Sequence, residues 1–419
     1  MPSRPRIAIV GGGPAGLTMA VLLHKRNVPF IVFELRQKPT DEELALPSGM
    51  LDLHEGSGLT AIRECGLYDA FLPLTGECSQ ETIIADRAGT LLYSGKSRGT
   101  RPEISRNNLA KLLAGAFPAD NIKWGHKLVS ATTTTKTTSA GAEASTETET
   151  EVELDFGLHG KQTFDFVVGA DGAWSKVRQL VTDVTPQFTG MHCITVTMRH
   201  VTDKFPHLAA LVGSGSFMAM GKKHVIVSQR GPMDSSRIYL WLTVPDEHFA
   251  TTAGLAGKPA AHAKTTLLGD DNLLGTFGAP IKELVGIACD EETADHPGEG
   301  LDIRPFYELP HGHAWAHKRG ATLVGDAAHL MLPNGEGVNT AMFDVLMLSR
   351  AIVEAYEKAA ADSPTAFMRT LDPLVAASEA ALVERAKQEG QDTDDMMKMM
   401  FGTDEAAYDL VSFMEKVSR

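Results

Sequence analysis

The chain has 419 residues, more than a single hydrophobic core organises, so two or more domains are expected. Hydrophobic residues make up 43% and charged residues 22%, the balance of an ordinary globular enzyme, and a net charge of −14 argues against nucleic acid or an anionic membrane as partner. Four widely spaced cysteines, Cys65, Cys78, Cys193 and Cys289, form no CxxC pair, which excludes a legible disulfide framework or cysteine zinc site. No apolar run is long enough to span a bilayer, and with the first strand beginning by Ile7 no signal peptide is expected; a reducing cytoplasm is the expected compartment.

The first element is a short apolar strand, Arg6-Ile7-Ala8-Ile9-Val10, followed at once by Gly11-Gly12-Gly13-Pro14-Ala15-Gly16 and an apolar helix from Leu17. Strand, glycine turn and helix are the setting that a dinucleotide fingerprint requires. Gly11 permits the tight turn, Gly13 leaves the backbone open to a pyrophosphate, and Gly16 lets the helix pack on the strand. The helix N-terminus offers free N–H groups to the phosphates. A second strand over residues 28–33 ends at Glu34, an acid about 20 residues past the glycines that suits a ribose hydroxyl.

A loop follows, with Pro47-Ser48-Gly49 leading to Asp52, a candidate cofactor contact, and His54, a polar neighbour read as structural. Residues 58–65 have helical spacing, and residues 83–86 and 90–93 flank Arg87-Ala88-Gly89 as a hairpin. Ser105 is placed to cap a helix running to about residue 116. Arg106 in its first turn is unfavourable to the helix dipole, which points to an anionic partner such as the cofactor. Residues 131–150 are mostly Thr, Ser, Ala and Glu and are expected to be a disordered loop. A buried strand over residues 164–168 then runs into Asp171-Gly172.

From residue 181 to 302 the pattern becomes that of a mostly antiparallel sheet, with strands at 193–199, 217–220, 224–228 and 237–244 and helices at 261–268 and 281–287. A buried strand returns at 321–324, followed by Gly325-Asp326 and by Leu332-Pro333-Asn334-Gly335-Glu336-Gly337-Val338-Asn339, which opens a helix to about residue 353. Asp326 at a strand end can accept hydrogen bonds from sugar-alcohol hydroxyls. The helix N-terminus near Gly337 would favour a ring that gains negative charge on reduction. Three separated stretches thus match the pyrophosphate, ribityl chain and ring of FAD. His311, His313 and His317, with no carboxylate among them in sequence, are read as solvated loop histidines, and no metal is expected. A helix over residues 371–387 precedes a soft apolar patch of Met396, Met397, Met399, Met400 and Phe401, read as packing of a C-terminal helix across both domains.

These motifs, Gly11 to Gly16, Asp171-Gly172 and Gly325-Asp326 in this order, resemble the group A flavoprotein aromatic hydroxylases, the para-hydroxybenzoate hydroxylase fold. Within that group Leu51-Asp52-Leu53-His54, Pro102-Glu103-Ile104 with Arg106, Ser175-Lys176-Val177-Arg178 and Gly337-Val338-Asn339 look like the tetracycline-inactivating FAD monooxygenases. The resemblance implies an α/β protein. A Rossmann-like FAD-binding domain would take residues 1–80, 100–180 and 303–355, and a mostly antiparallel substrate domain residues 81–99 and 181–302. A C-terminal bridging helix would take residues 365–419. The cofactor-binding set it implies is Gly11, Gly13, Pro14, Ala15, Gly16, Glu34, Leu35, Arg36, Asp52, Arg106, Asp171, Gly325, Asp326, Pro333, Gly337, Val338 and Asn339. Thr195, Ser216 and Tyr239 fall where the tetracycline enzymes place Gln, Arg and His; with Met218 and Trp241 they are the candidate substrate residues. Ala45 replaces an arginine proposed to contact NADPH, and Glu336 a glutamine. A related polycyclic phenol or enol is therefore at least as good a candidate substrate as tetracycline.

The activity implied is an FAD-dependent monooxygenase with NADPH (or NADH) as co-substrate and O2 taken up as a flavin C4a-hydroperoxide. A monomer is expected, with no side chain as nucleophile. A flavin reductase or dehydrogenase on the same fold, or a non-catalytic drug-binding flavoprotein, are the rival readings.

Overall fold

The computed structural model describes residues 4–96, 101–138, 147–359 and 364–417. Its organising sheet is parallel and five-stranded, in the order Ala321–Leu323, Phe166–Gly169, Ile7–Val10, Ile31–Phe33, Ile122–Lys123. Ile7–Val10 is central and buried along its whole length. It is unbroken by polar residues because both faces are covered. Ile7 and Ile9 pack into a core with the helices Pro14–Lys25, Gly58–Cys65, Arg106–Ala114 and Gly337–Lys358. Ala8 and Val10 face the other way, onto Val152, Leu154 and Phe164 of a small antiparallel sheet and Phe156 of its connecting turn.

That small sheet corrects one expectation. The stretch 131–150 is not a disordered loop where it is described: Ser130–Thr138 and Glu147–Asp155 pair as an antiparallel ribbon, from Ser130 opposite Asp155 to Thr138 opposite Glu147. Residues 139–146, within the same stretch, lie outside the described residues. A ribbon needs a core only at its base, so a stretch poor in apolar residues can still pair. Val152 and Leu154 supply that base. Beyond it, β-branched threonines favour the extended backbone and the ladder hydrogen bonds continue into solvent.

The second sheet has seven strands, in the order Asp302–Glu308, Gln187–Met198, Ser235–Thr243, His224–Gly231, Ser216–Gly221, Glu81–Asp86, Leu91–Lys96. All its pairs are antiparallel except Ser216–Gly221 with Glu81–Asp86. Asp302–Glu308, a strand beyond those expected, carries Pro305 and lies at the sheet edge, where a missing N–H is tolerated. The two faces separate with period two. Phe217, Ala219, Ile226, Ile238, Leu240 and Leu242 are buried against the helices Ala260–Gly269 and Ala279–Asp295. Met218, Val227, Tyr239 and Trp241 point to the opposite side. The four cysteines are buried and unpaired. Among the described residues no helix is long and apolar enough to cross a membrane.

The C-terminal helix spans Pro364–Phe401, 38 residues, well beyond the expected 371–387. Pro373 lies within it and so does Gly390, the residues that truncate the sequence pattern. Gly390 is there for space: a Cβ would sit 2.5 Å from Cγ of His311. The histidines of the linker are correspondingly not solvated. His317 binds Glu379 through Nδ1 at 2.7 Å and Asp372 through Nε2 at 3.1 Å. His311 lies 3.3 Å from Asp394 and 3.5 Å from Glu308, while Nδ1 of His313 meets the carbonyl of Pro310. Glu308, His311 and Asp394 bring ligand-type atoms within 4.8 Å of one another. Carboxylates far away in sequence are thus the partners that local inspection missed. Beyond the long helix, Ala406–Val417 lies on the second sheet, where Met400, Ala406 and Ala407 are buried with Ile84, Met220 and Val225.

Gly390→Ala tests this packing. In a free helix the change gains about 1 kcal/mol from propensity. Here forced overpacking against His311 should outweigh it, for a net loss of about 1–2 kcal/mol in urea unfolding. A raised midpoint would show that helix and linker are not in close contact.

Candidate active site

The glycine turn brings three strand ends together. Gly11 has φ +111°, and a Cβ there would lie 2.1 Å from the carbonyl oxygen of Ala170. A Cβ at Gly16 would lie 1.9 Å from the carbonyl oxygen of Gly11. Gly13, by contrast, would meet nothing within 4 Å, so the backbone is open on that side. The helix Pro14–Lys25 begins there with Pro14 at its first turn and no side-chain cap, leaving its first N–H groups free. Gly325 has φ +57° and ψ −143°, a conformation essentially restricted to glycine, and a Cβ there would sit 3.8 Å from Cβ of Ala15. The Gly325-Asp326 turn and the first turn are therefore neighbours.

Arg178 ties these pieces together. Its buried guanidinium donates to the carbonyls of Ala327 at 2.8 Å, Ala173 at 2.9 Å and Asp326 at 3.1 Å. Glu34 is also buried; its Oε2 accepts from the N–H of Gly12 at 2.6 Å and its Oε1 from N–H and Nε of Arg36 at 2.9 and 2.8 Å. Burial works to raise its pKa, but the Arg36 and Gly12 donors prevail and hold it below the usual carboxylate range. The Arg36 side chain is largely exposed and Leu35 is exposed beside it.

Below the second sheet lies a cavity of about 680 Å³. Its roof is the sheet face with Cys193, Met218, Val227, Gln229, Arg237, Tyr239 and Trp241, joined by Arg304 and Phe306 from the edge strand. Its floor is Gly49 to Asp52, Arg106, Asp326, the segment from Met331 through Gly335, and Gly337 with Val338. Met396 and Met400 of the long helix close one side. Tyr239 reaches the floor, since a Cβ on Gly49 would touch its hydroxyl at 2.7 Å. Trp241 and Phe306 meet edge to face at 6.2 Å. Asp326 is exposed although its neighbours are buried. Neither its carboxylate nor the Arg106 guanidinium has a hydrogen-bond partner among the described residues.

At the floor, Asp52, His54 and Glu336 form a chain. His54 Nε2 lies 2.7 Å from Asp52 and Nδ1 2.9 Å from Glu336, which immediately precedes the helix Gly337–Lys358 and makes no capping hydrogen bond to it. The Asp52 and Glu336 carboxylates, against a smaller effect of burial, push the His54 pKa up to about 9. Asn339 locks the same loop: it accepts from the N–H of His54 at 2.9 Å and donates to the carbonyl of Asp52 at 3.0 Å.

The candidate cofactor residues therefore divide. Gly11, Gly13, Pro14, Ala15, Gly16 and Gly325 build the turns, and Asp52, Arg106, Asp326, Pro333, Gly337 and Val338 line the cavity. Asn339 is buried and spends its amide on the floor loop. Asp171 is committed elsewhere: its carboxylate accepts from the Ser175 hydroxyl at 2.5 Å and the N–H groups of Lys176 and Val177 at 2.7 and 3.3 Å, capping its own turn. Of the candidate substrate residues, Met218, Tyr239 and Trp241 line the cavity; Thr195 and Ser216 do not. Thr195 is buried between strands, 3.5 Å from Arg304. The polar groups of the roof that sequence reasoning missed are Gln229, Arg237 and Arg304. Their signal was available, since each is a polar residue on the Tyr239 side of an alternating strand.

On this parallel sheet with a roofed cavity at its strand ends, the FAD binding domain profile and a relative at 34% identity named a monooxygenase make the chain an FAD-dependent monooxygenase. The chain belongs to the FAD binding domain family, whose profile matches residues 4–266 and 314–366. It is 34% identical to monooxygenase penA of Penicillium thymicola over 414 residues, covering 91% of this chain and 92% of that one. Solved structures share the fold, among them the following two. HpxO of Klebsiella pneumoniae complexed with FAD and uric acid has a TM-score of 0.70 at 16% identity, covering 97% and 91% of the two chains. Tetracycline destructase Tet(55) has a TM-score of 0.61 at 17% identity, covering 97% and 98%. The likeness to the tetracycline enzymes is thus one of fold, and the stronger sequence likeness is to a fungal monooxygenase.

The residues present fit FAD. The open ground at Gly13 and the uncapped N-terminus of Pro14–Lys25 suit its pyrophosphate, and the unpaired Asp326 carboxylate suits its ribityl hydroxyls. Asp326→Ala should weaken FAD by about 2–3 kcal/mol, roughly 30- to 150-fold in Kd, by fluorescence titration of the apoprotein. An unchanged Kd would put the ribityl chain elsewhere.

The His54 clasp sets a pH window. Its folded pKa of about 9 exceeds the ordinary 6.5, so its contribution to stability is fully present below pH 6.5 and is lost as pH rises through 9. His54→Gln should therefore flatten the fall in unfolding free energy over that window, relative to the parent. An equally steep fall in both proteins would exclude a charged His54 in the folded state.

Proposed function

We propose that the FAD-loaded protein spends NADPH and O2 to place one oxygen atom on an electron-rich carbon of a phenol or enol in a polycyclic aromatic substrate. The observation that carries this reading is the cavity between the two sheets. Its roof and side are walled by Tyr239, Trp241, Phe306 and methionines, an aromatic and apolar lining that suits a multi-ring compound. When bound, FAD supplies the redox and oxygen-transfer chemistry. The chain's own residues then have binding and ordering roles. Trp241 and Phe306 offer ring edges and faces for stacking. Gln229 and Arg237 offer polar anchors on the roof, and the Arg237 guanidinium, over the Tyr239 ring at 5.8 Å and bonded to Thr197 at 3.0 Å, is held in place. The uncapped N-terminus of Gly337–Lys358 faces the cavity through Gly337 and Val338, where a developing negative charge would be favoured. No side chain is required as nucleophile.

Tetracyclines are one candidate class, on the fold-level likeness to Tet(55). Aromatic polyketides and other polycyclic phenols are equally compatible with the walls. A screen of NADPH oxidation against these compounds under 18O2 tests the reading. The expected result is substrate-triggered NADPH consumption with one labelled oxygen in the product. Turnover without label would mean a reductase, and no turnover a binding protein. Trp241→Ala should raise the Kd of the accepted substrate about tenfold through lost stacking and apolar contact. An unchanged Kd would remove Trp241 from the substrate wall.

A further inference from the structure

Five of the chain's 17 methionines, Met50, Met218, Met331, Met396 and Met400, line this one cavity. They come from separate elements: the floor strand Met50–Asp52, the roof strand Ser216–Gly221, the segment after Asp326–His329, and the C-terminal helix. Met396 and Met400 are one helical turn apart, so their side chains share a face. Both belong to the apolar cluster that fastens the end of this helix to the second sheet, with Ile84, Met220, Val225 and Trp241.

A thioether is the side chain there most open to oxidation. Cys193 also lines the cavity, but burial raises its pKa and keeps it a thiol, whereas only the thiolate is strongly nucleophilic. Methionine sulfur needs no deprotonation. A flavin monooxygenase that reduces O2 with no substrate in place releases hydrogen peroxide, and in this chain it would do so against the methionine wall.

We propose that Met396 and Met400 are turnover-dependent modification sites, oxidised to the sulfoxide by hydrogen peroxide formed inside the cavity when the substrate site is empty. The sulfur lone pair takes one peroxide oxygen, and the O–O bond breaks. The proton on that oxygen passes to the other, which leaves as water; sulfur loses two electrons and peroxide gains them. The product side chain is polar and chiral. It disrupts the cluster around Trp241, so the end of the C-terminal helix loosens and the apolar wall is lost. Unproductive cycling thereby lowers the protein's own affinity for apolar substrates. This rests on the monooxygenase class, and only its consequence for affinity rests on the proposed substrate.

The test uses the full FAD-loaded chain without substrate, carried through repeated photoreduction and re-exposure to air. Catalase in the bulk destroys peroxide that escapes. Peptide mass spectrometry then compares Met396 and Met400 with the exposed Met233 and Met347. The expected result is a gain of one oxygen at Met396 and Met400 in at least about fivefold greater yield than at the exposed pair. Equal yields, a preference for Met233 and Met347, or no oxidation at all would overturn the proposal. A second readout is 1-naphthol binding before and after cycling. The parent should lose affinity several-fold, while M396L/M400L keeps whatever affinity it started with. Equal losses in the two chains would overturn the link to the wall. Absence of 1-naphthol binding at the outset would count against the substrate class, leaving the oxidation pattern to decide the modification.

Discussion

A Cβ at residue 11 would lie 2.1 Å from the carbonyl oxygen of Ala170, a distance no folded backbone tolerates. That approach is the constraint on which the site depends. The central strand Ile7–Val10 pairs with Phe166–Gly169, so the two strands end together and their following turns must share one space. Only a glycine with positive φ lets them do so. Gly16 and Gly325 meet the same demand on either side, and Arg178 draws the carbonyls of both the Asp171 and Asp326 turns onto one buried cation. Strand ends converging in this way leave a crevice at their carboxyl side, which is where open α/β sheets bind ligands.

The roof obeys a different rule. Each strand of the seven-stranded sheet alternates, so one sequence serves two environments. Phe217 goes to the helical core and Met218 to the cavity; Leu240 goes to the core and Tyr239 and Trp241 to the cavity. A register slip of one residue in Ser235–Thr243 would turn Arg237 to the helical core and Leu240 to the cavity. The cost of burying that unpaired guanidinium fixes the register as strongly as the apolar residues do.

Much of this was legible from local pattern. The glycine turn, the acid at residue 34 and the buried strand at 321–324 are local signals that map onto the parallel sheet, whereas the stretch 164–168 divides, with Phe164 ending a strand of the small antiparallel sheet and Phe166–Gly169 lying in the parallel one. The alternating strands of the roof were legible for the same reason. What could not be read depends on partners distant in sequence. Asp171 looks like a ligand residue by its motif, yet its oxygens cap Ser175, Lys176 and Val177. His311 and His317 look solvated until the long helix supplies Asp372, Glu379 and Asp394. The ribbon at 130–138 has no core of its own and is decided by backbone pairing. Pro373 and Gly390 hide the true length of the C-terminal helix because local propensity is overruled there by packing.

That helix does more than cover a surface. Asp344, fully buried, accepts from Arg385 of the long helix at 2.9 Å, from His329 at 2.6 Å and from the N–H of Gly325 at 3.2 Å. Burial opposes a charge on His329, but the Asp344 carboxylate outweighs it and raises the His329 pKa. One carboxylate thus connects the C-terminal helix to the turn that presents Asp326 to the cavity. Farther along, the same helix places Met396 and Met400 in the cavity wall. A displacement at its Met-rich end therefore acts on the substrate space directly. One nearer Arg385 acts on the Gly325-Asp326 turn through charged hydrogen bonds, whose loss would leave Asp344 buried without a full set of donors. The helix couples roof, wall and floor because its contacts with the two regions differ in kind: apolar and adjustable at the methionines, ionic and geometrically strict at Arg385.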